Sequence, residues 1–306
     1  TDYLSTFDSD GFTVGVNGQH NGSGEDYVAW CWDAGTGSAA SNSDGSITSS
    51  VKANQTYGFS IVSYTGTGSN ATVGHGLGAA PKLIIAKCRS AVDDWGVYEA
   101  SQGASKYASL NSNAAFSSAA TVWQGVEPTS SVFSVGTSAI ANRSANTQIA
   151  YCFADVTGHQ KIGTYTGTGS SGNAITGLGF RPAFVMVKCT SNTGSWVVVD
   201  NTRNTDNSDV DKVLFWNLNY ADTTSSSYDF AFDADGFTIN STAGNNNGSG
   251  RTYIYLAIAD TRDALFTSDA SGNGNNWTPN DLQHSDVMPD TPTDGFATLN
   301  ALANYT

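Results

Sequence analysis

The sequence repeats itself over a long stretch without a gap. Residues 64–100 align with residues 165–201 at an offset of 101 positions, and 15 of the 37 aligned pairs are identical. Both copies open on the letters YTGTGS and share a Lys-Cys pair, at Lys87 and at Lys188. A gapless match of this length predicts one domain built twice. Arrays of repeated domains usually present extended surfaces, whereas an enzyme more often has one unique site.

A second motif extends the repeat and occurs three times. The octapeptide FDSDGFTV at 7–14 is nearly identical to FDADGFTI at 232–239, and VFSV at 132–135 is a degenerate copy. Downstream of each copy lies an apolar segment in which large and small side chains alternate. These segments begin at Tyr27, Gln148 and Tyr253. Alternation with a period of two predicts a β-strand in each copy.

The two motifs together divide the chain. They predict a partial repeat at 1–35, a linker or arm at 36–55, full repeats at 56–161 and 162–262, and an irregular C-terminal tail at 263–306. The segment 36–55 has no counterpart between the two full repeats, so it is either a flexible spacer or an arm that lies on a neighbour. The partial repeat would expose an open sheet edge, which residues before Thr1 or another chain could complete.

The composition favours strands and turns over helices. Charged residues make up 13% of the chain, against roughly 25% in ordinary soluble domains. Ser, Thr, Asn and Gly supply the polar surface instead, and these residues compete with helical backbone hydrogen bonds. We therefore predict an all-β fold of tandem antiparallel β-sandwich repeats. Each repeat is expected to be jelly-roll-like, about 100 residues long and without a substantial helix.

The alternating segments also predict which side chains face the core. In the segment that begins at Gln148, one face carries Tyr151 and Phe153, and the other carries Ala150 and Cys152. We expect the large face to line the core and the small face to lie close against another element.

Charge and cysteine content narrow the functional classes. The chain carries a formal net charge of −14 and has no basic cluster, so we expect it neither to bind nucleic acid nor to lie on an anionic membrane. It contains no run of about 20 apolar residues, which membrane insertion through a helix would need. Cys88 and Cys189 occupy one repeat position, and Cys31 and Cys152 another, so a disulfide in one copy would have no counterpart. We predict reduced, buried thiols.

Several long phrases of the chain resemble a known family. They are NSDGSITSSVKAN, HGLGAAPKLIIAKCRS, IAYCFADVTGHQKIGTYTGTG and GFRPAFVMVKCTS. They resemble a repeat domain of tail-fibre and other virion structural proteins of marine tailed bacteriophages. The closing SGNGNNWTPNDLQHSDVMPDTPTDGFATLN resembles a segment of the same proteins. The resemblance implies a non-enzymatic virion component at the virion surface or outside the cell, and it supplies no binding site.

The acidic turns are candidate metal sites. Asp8 and Asp10 flank Ser9, and Asp233 and Asp235 flank Ala234, so carboxylates alternate as hard-cation ligands often do. The late Glu of a calcium loop is missing from both turns. A hairpin turn is therefore the favoured interpretation, and we predict neither a metal nor another cofactor.

Exposed tryptophans are candidate sugar platforms, because their rigid apolar faces stack on pyranose rings. Trp123, Trp216 and Trp277 are the candidates, since they do not recur between the copies. Trp95 and Trp196 recur and are predicted to be core residues.

The residues and the resemblance together lead to one functional hypothesis. The chain is expected to be a phage tail-fibre, spike or surface-decoration protein that contributes to host attachment. Its expected partners are further copies of itself, for example in a trimer, other virion proteins and a host-surface glycan. No catalytic motif is present, so an enzyme is not expected. The alternatives are a carbohydrate-binding module and a subunit of an extracellular filament joined by strand addition.

Overall fold

The computed structural model of the chain describes residues 3–8, 11–204 and 206–260. Within these ranges the fold is nearly all β, and the paired strands that form the sheets are antiparallel. The α-helices of this part of the chain have four residues each: α1 (Gly18–Asn21), α2 (Ala120–Trp123) and α3 (Ala139–Asn142). None of them is long enough to cross a bilayer. The predicted all-β, sandwich-like fold without substantial helix is confirmed.

The chain divides into two compact units, residues 1–33 and residues 34–306. The first unit contains a hairpin of β1 (Leu4–Phe7) and β2 (Phe12–Val14), followed by α1. The second unit contains both full repeats, which are called repeat 1 and repeat 2 below.

Repeat 1 is a sandwich of one large and one small sheet. Its strands are β3 (Ala40–Asn42), β4 (Ser49–Asn54), β5 (Phe59–Thr65), β6 (Ala71–Gly74), β7 (Leu83–Cys88), β8 (Trp95–Glu99), β9 (Lys106–Ser109), β10 (Ser117–Ser118), β11 (Val132–Val135) and β12 (Thr147–Phe153). The large sheet has the order β10-β9-β8-β7-β12-β5-β4-β3, and β6 pairs with β11 in the small sheet. One buried cluster, which includes Val62 of β5 and Phe133 of β11, fills the space between the sheets.

Repeat 2 has the same plan. Its strands are β13 (Gln160–Thr166), β14 (Asn173–Thr176), β15 (Pro182–Cys189), β16 (Val197–Asp200), β17 (Lys212–Phe215), β18 (Thr223–Thr224), β19 (Phe230–Asp233), β20 (Gly236–Ile239) and β21 (Thr252–Ala259). The large sheet has the order β13-β21-β15-β16-β17-β18, and β14, β20 and β19 form the small sheet. Its hydrophobic core is a separate cluster, so each repeat packs around its own centre.

The segment 36–55 was expected to be a linker or arm, but it contributes two strands to repeat 1. β4 pairs with β5 along five residues, and β3 pairs with β4 at the edge of the large sheet. The alternation of SSVKAN in β4 fits a strand with one face toward the core, and Val51 is buried there. Repeat 2 has no counterpart of these two strands, so the repeat pattern does not predict them.

The prediction of a strand from Tyr27 is wrong, because residues 25–33 form no strand. The corresponding strands β12 and β21 lie in the middle of their sheets, each bonded to two neighbours. The described part of residues 1–33 contains no equivalent of those neighbours. A central strand without partners would leave its backbone N–H and C=O groups unpaired, so the same sequence pattern does not form a strand here.

The predicted orientation of β12 is also wrong. Ala150 and Cys152, on its small face, are fully buried in the core between the sheets, whereas Tyr151 on the large face is half-buried. The small side chains leave room for Tyr64 and Phe133, whose ring centroids lie 6.0 Å apart in an edge-to-face contact. Large residues from neighbouring strands therefore fill the core in place of those on β12.

A buried asparagine holds the YTGTG turn in each full repeat. In repeat 1 the amide of Asn142 accepts from Thr67 N at 2.7 Å and donates to Ser69 O at 2.7 Å. In repeat 2 Asn247 makes the corresponding bonds to Thr168 N and Ser170 O. The turn passes so close to this asparagine's neighbours that a Cβ on Gly66 would lie 2.2 Å from a backbone oxygen. The glycine in the motif is therefore required by the close approach of two backbones.

Candidate functional site

A loop of repeat 1 lies on repeat 2 and joins the two sandwiches. This loop, residues 109–116, connects β9 to β10 and is called the docking loop here. Its backbone makes most of the bonds: Asn113 O accepts from Gly194 N at 2.8 Å, and Phe116 N donates to Thr190 O at 3.2 Å. Such backbone contacts fix the geometry of the joint with little demand on side-chain identity.

The surface that receives the loop lies where β15 ends and β16 begins. It is formed by Lys188, Thr190, Gly194 and Trp196, and it is called the socket of repeat 2. The indole N–H of Trp196 donates to Ser109 O at 3.1 Å. It lies at nearly the same distance, 3.2 Å, from Ser112 O, so one donor is shared between two carbonyl groups of the docking loop.

Lys188 is a buried cation without a carboxylate partner in the described part of the chain. Its side chain is fully buried, and Nζ donates to Cys189 O at 2.8 Å and to Asn113 O at 3.4 Å. Nζ also lies 5.8 Å from the centre of the Trp196 ring, a cation–π distance. Burial lowers the pKa of Lys188 to about 8, because removal from water disfavours the charged form.

Two neighbouring residues of repeat 2 bond to the backbone of Trp196 and support the socket. Asn217 Oδ1 accepts from Trp196 N at 2.9 Å, and Trp216 N donates to Trp196 O at 3.1 Å. Repeat 1 has the same support, because Asn111 Oδ1 accepts from Trp95 N at 3.0 Å and Leu110 N donates to Trp95 O at 2.9 Å. The backbone around the two tryptophans is therefore built alike.

Repeat 1 carries an equivalent socket that the described part of the chain does not cover in the same way. Its residues are Lys87, Arg89, Asp93 and Trp95, which align with the four socket residues of repeat 2. Lys87 and Trp95 are half-buried and Arg89 is exposed. The Lys87 ammonium lies 6.0 Å from the centre of the Trp95 ring, as in repeat 2. The two sockets thus share their core pair and differ in their covering.

Repeat 2 also carries an equivalent of the docking loop, at residues 215–222. β17 and β18 flank it as β9 and β10 flank the docking loop, with the same pairing. Two large apolar side chains of this second loop face solvent: Leu218 is 39% exposed and Tyr220 is 67% exposed. The corresponding residues of the docking loop are the small Ser112 and Ala114.

The predicted tryptophan sites do not come together. Trp123 is 2% exposed and packs edge-to-face on Tyr98 at 6.1 Å, so neither face of its ring can stack on a sugar. Trp216 is half-buried with its ring centroid 6.0 Å from that of Phe184. Trp277 lies outside the described residues. Burial therefore removes Trp123 as a sugar platform, and the ring of Trp216 is partly covered.

The carboxylates of the acidic turns accept hydrogen bonds from the protein. Asp8 accepts from the Thr13 hydroxyl at 2.9 Å, and Asp233 accepts from Thr238 in the corresponding position at 2.7 Å. Asp235 accepts from two backbone N–H groups of the neighbouring 177–179 turn. Asp10 lies outside the described residues. The described carboxylates thus stabilise their own hairpins or, for Asp235, a neighbouring turn, as the hairpin-turn interpretation predicts.

Within the described residues no group of three or more His, Cys, Asp and Glu side chains is close enough to hold a metal ion. One cleft, of about 290 Å³, lies beside β3 and β4 of repeat 1. Its lining is mostly Ser, Ala, Thr and Asn, with Lys52 as the charged member, and these groups offer no general acid and base pair.

The thiols are reduced, and three of them are buried as predicted: Cys88, Cys152 and Cys189. Burial raises the pKa of the Cys152 thiol to about 12. Cys31 is exposed, which contradicts the prediction for this position. The reason is the missing strand around it, because a segment outside a sheet has no core face on which to bury the side chain.

The joint was only partly visible in the sequence. The identical pairs Lys87/Lys188 and Trp95/Trp196 mark two socket residues in each repeat, although their recurrence alone predicts that the tryptophans belong to the core. The docking loop was not visible, because the gapless alignment ends before it. Trp95 and Leu110 are separated by 15 positions, and Trp196 and Trp216 by 20.

Comparison with known proteins identifies the family of the chain. A family model described as a domain of unknown function (DUF7483) matches residues 1–262. The match covers more than half of the chain, which therefore belongs to this family. No curated protein and no solved structure matches the chain.

Proposed function

We propose that this member of the DUF7483 family is a structural protein of a bacteriophage virion. It would form part of a tail fibre, spike or surface decoration and contribute to attachment to the host surface. The phage assignment is supported by the resemblance of the repeated phrases to virion proteins of marine tailed phages. The structural role is supported by the architecture of the chain.

The observation that carries the structural role is the joint between the repeats. A fibre must transmit force from one domain to the next, and a flexible linker transmits it poorly. Here the docking loop is bonded through its backbone at several points, and the shared Trp196 N–H adds a buried contact at the centre. A joint of this kind keeps neighbouring domains in register, which suits an extended particle better than a soluble binding module.

The surface chemistry is compatible with an exposed position on a particle. The chain is acidic, so copies repel each other where they make no specific contact. Many turns rich in Gly, Ser and Asn connect short strands, and such turns can present polar contacts to a receptor without weakening the cores.

Detection of the chain in purified virions tests the proposal. Immunogold labelling of particles, with peptide identification by mass spectrometry, is expected to locate the protein in the tail or on the surface. Antibody that has been preabsorbed with the protein is the control. Abundant protein in infected cells together with its absence from purified particles would contradict a virion role. Saturable binding of the purified chain to host cells, and not to resistant cells, tests the attachment role separately.

A further inference from the structure

We propose that the socket of repeat 1 binds the 215–222 loop of a second copy of this chain, so that copies join head to tail. The proposal deepens the structural role above and rests on it, because it names the partner and the two surfaces that meet. Each full repeat carries one socket and one loop. The joint inside the chain uses the loop of repeat 1 and the socket of repeat 2, which leaves the other loop and the other socket.

The socket of repeat 1 has the features of a surface that lacks its covering. In the described part of the chain the Trp95 indole N–H has no hydrogen-bond partner, whereas the Trp196 N–H meets two carbonyl oxygens. Val92, at the rim, is 96% exposed. The Lys87 ammonium donates to the Asp93 carbonyl oxygen at 2.6 Å, whereas the Lys188 ammonium reaches Asn113 O of the docking loop.

The 215–222 loop has the shape of the docking loop. Leu218 N donates to Phe215 O at 3.2 Å, and Ser112 N donates to Ser109 O at 3.1 Å, so the first turn of both loops is closed by the same bond. The two carbonyl groups that share the Trp196 N–H belong to this turn. In the 215–222 loop the same two carbonyl groups would face the Trp95 N–H of the second copy.

The remaining contacts follow from the same alignment of the two sockets and the two loops. The carbonyl oxygen of Asn219 would accept from Asp93 N and from the Lys87 ammonium, as Asn113 O does from its counterparts. Asp222, in the place of Phe116, would lie beside Arg89. This opposite-charge pair has no equivalent in the joint inside the chain, where Thr190 faces Phe116. Asp222 already lies 3.7 Å from the Arg203 guanidinium of its own chain, so Arg89 would join an existing ion pair and favour correct pairing between copies.

The exposed apolar residues point to the same occupant. Leu218 and Tyr220 on the loop, and Val92 on the socket, are among the large apolar side chains that the described chain leaves open to water. In the joint inside the chain the counterpart of Leu218, Ser112, is half-buried, while the counterparts of Tyr220 and Val92 stay exposed, so the contact would cover Leu218 and leave Tyr220 and Val92 at its rim. Because the two surfaces differ, the contact is heterologous, and it produces either a ring or an open filament.

Two capping variants test the proposal. Arg89→Glu with Val92→Asp disables the socket, and Leu218→Asp with Tyr220→Ala disables the loop; all four positions are exposed. Val126→Asp is the matched control, because Val126 is 48% exposed and belongs to neither surface. Circular dichroism and the unfolding transition establish that each variant is folded.

Sedimentation velocity from micromolar to millimolar concentration gives the result. The wild type and the control are expected to form particles whose mass rises with concentration, and each capped variant is expected to stay monomeric. A mixture of the two capped variants retains one working socket and one working loop, so it is expected to stop at a 1:1 dimer. A wild type that is monomeric at every concentration, or particles unaffected by both variants, would overturn the proposal. Virion labelling shows which of the two proposals fails. Labelled virions together with a monomeric chain would contradict only the head-to-tail contact, and assembly of the chain without labelling of virions would contradict only the virion role.

Discussion

The two repeats carry the same Lys–Trp pair, and its burial differs between them. In repeat 2 the docking loop covers Lys188 and Trp196 completely, while in repeat 1 Lys87 and Trp95 are half-buried. The alignment of these positions has no gap, and the supporting asparagine makes the same bond in both. Burial at this position is therefore a property of the neighbouring domain and is not fixed by the sequence of the repeat itself.

The largest difference in stability loss between the two repeats is expected when the recurring tryptophan side chain is removed. Trp196→Ala leaves a cavity in the joint and removes the N–H that the carbonyl groups of Ser109 and Ser112 share, and we expect a loss of about 3–5 kcal/mol in the free energy of unfolding. Trp95→Ala removes a half-exposed ring and is expected to cost about 1–2 kcal/mol. Urea unfolding followed by tryptophan fluorescence and circular dichroism measures both. Equal losses would show that the docking loop adds nothing to the burial of the pair.

The asparagine that holds the YTGTG turn provides the next largest contrast. Asn142→Ala and Asn247→Ala each remove several buried hydrogen bonds and are expected to cost about 2–3 kcal/mol. Asn21 occupies the same position in the first unit, where it is exposed and donates to Gly15 O at 2.9 Å. Asn21→Ala is expected to cost less than about 1 kcal/mol. Chemical denaturation of the three variants is the measurement, and a large effect at Asn21 would contradict its exposed position in the first unit.

Lys188→Met is expected to stabilise the protein at neutral pH by about 1–2 kcal/mol, because it replaces a buried cation, which has no carboxylate partner among the described residues, with an apolar side chain. The pKa of Lys188 in the folded state is about 8, below the ordinary lysine value of 10.5. Between pH 8 and pH 10.5 Lys188 is protonated in the unfolded chain and deprotonated in the folded chain. The stability contributed at this site in the wild type therefore rises with pH in this window.

The advantage of the Met variant should accordingly be constant below pH 8 and decline as the pH rises toward 10.5. Denaturation of the variant and the wild type at matched pH values isolates this difference from the titration of other groups. Lys87→Met is the matched control, because it makes the same replacement at the half-buried counterpart in repeat 1. A constant advantage of Lys188→Met through pH 10 would contradict a buried ammonium.

The smallest energetic contrast concerns the thiols. Cys31 is exposed, so Cys31→Ser is expected to change the free energy of unfolding by less than about 0.5 kcal/mol. A thiol reagent is expected to modify one of the four cysteines in the folded chain and all four in denaturant. Mass spectrometry identifies the modified residue. Rapid modification of Cys152 in the folded chain would contradict its place in the core.

Much of the fold follows from the sequence because strand periodicity and repetition are local signals. The alternating pattern at Gln148 predicts β12, and the gapless match predicts that β15 repeats β7. The same pattern fails at Tyr27, because a central strand needs neighbours that a local pattern does not report. The orientation of β12 fails for a similar reason, since the residues that fill the core beside Cys152 come from other strands.

The joint between the repeats could not be predicted by comparing sequence patterns. Lys87/Lys188 and Trp95/Trp196 were visible as identical pairs, but a conserved Lys–Trp pair does not reveal which loop covers it. The docking loop contributes mainly backbone atoms, and backbone contacts leave little trace in side-chain identity. Its counterpart in repeat 2 is displaced by a longer connection between β16 and β17.

A cross-link between copies tests the central claim most directly. Val92→Cys and Asn219→Cys place one thiol at the rim of the repeat 1 socket and one on the 215–222 loop, in a chain with Cys31→Ser. Thr193→Cys with Asn113→Cys places thiols at the corresponding positions of the joint inside the chain and serves as the positive control. With a short bismaleimide, the control is expected to form an internal bridge in the monomer. The first pair is expected to form a ladder of covalent oligomers that Leu218→Asp abolishes. An internal bridge in the control without any ladder from the first pair would show that the second joint does not form, and would contradict the account.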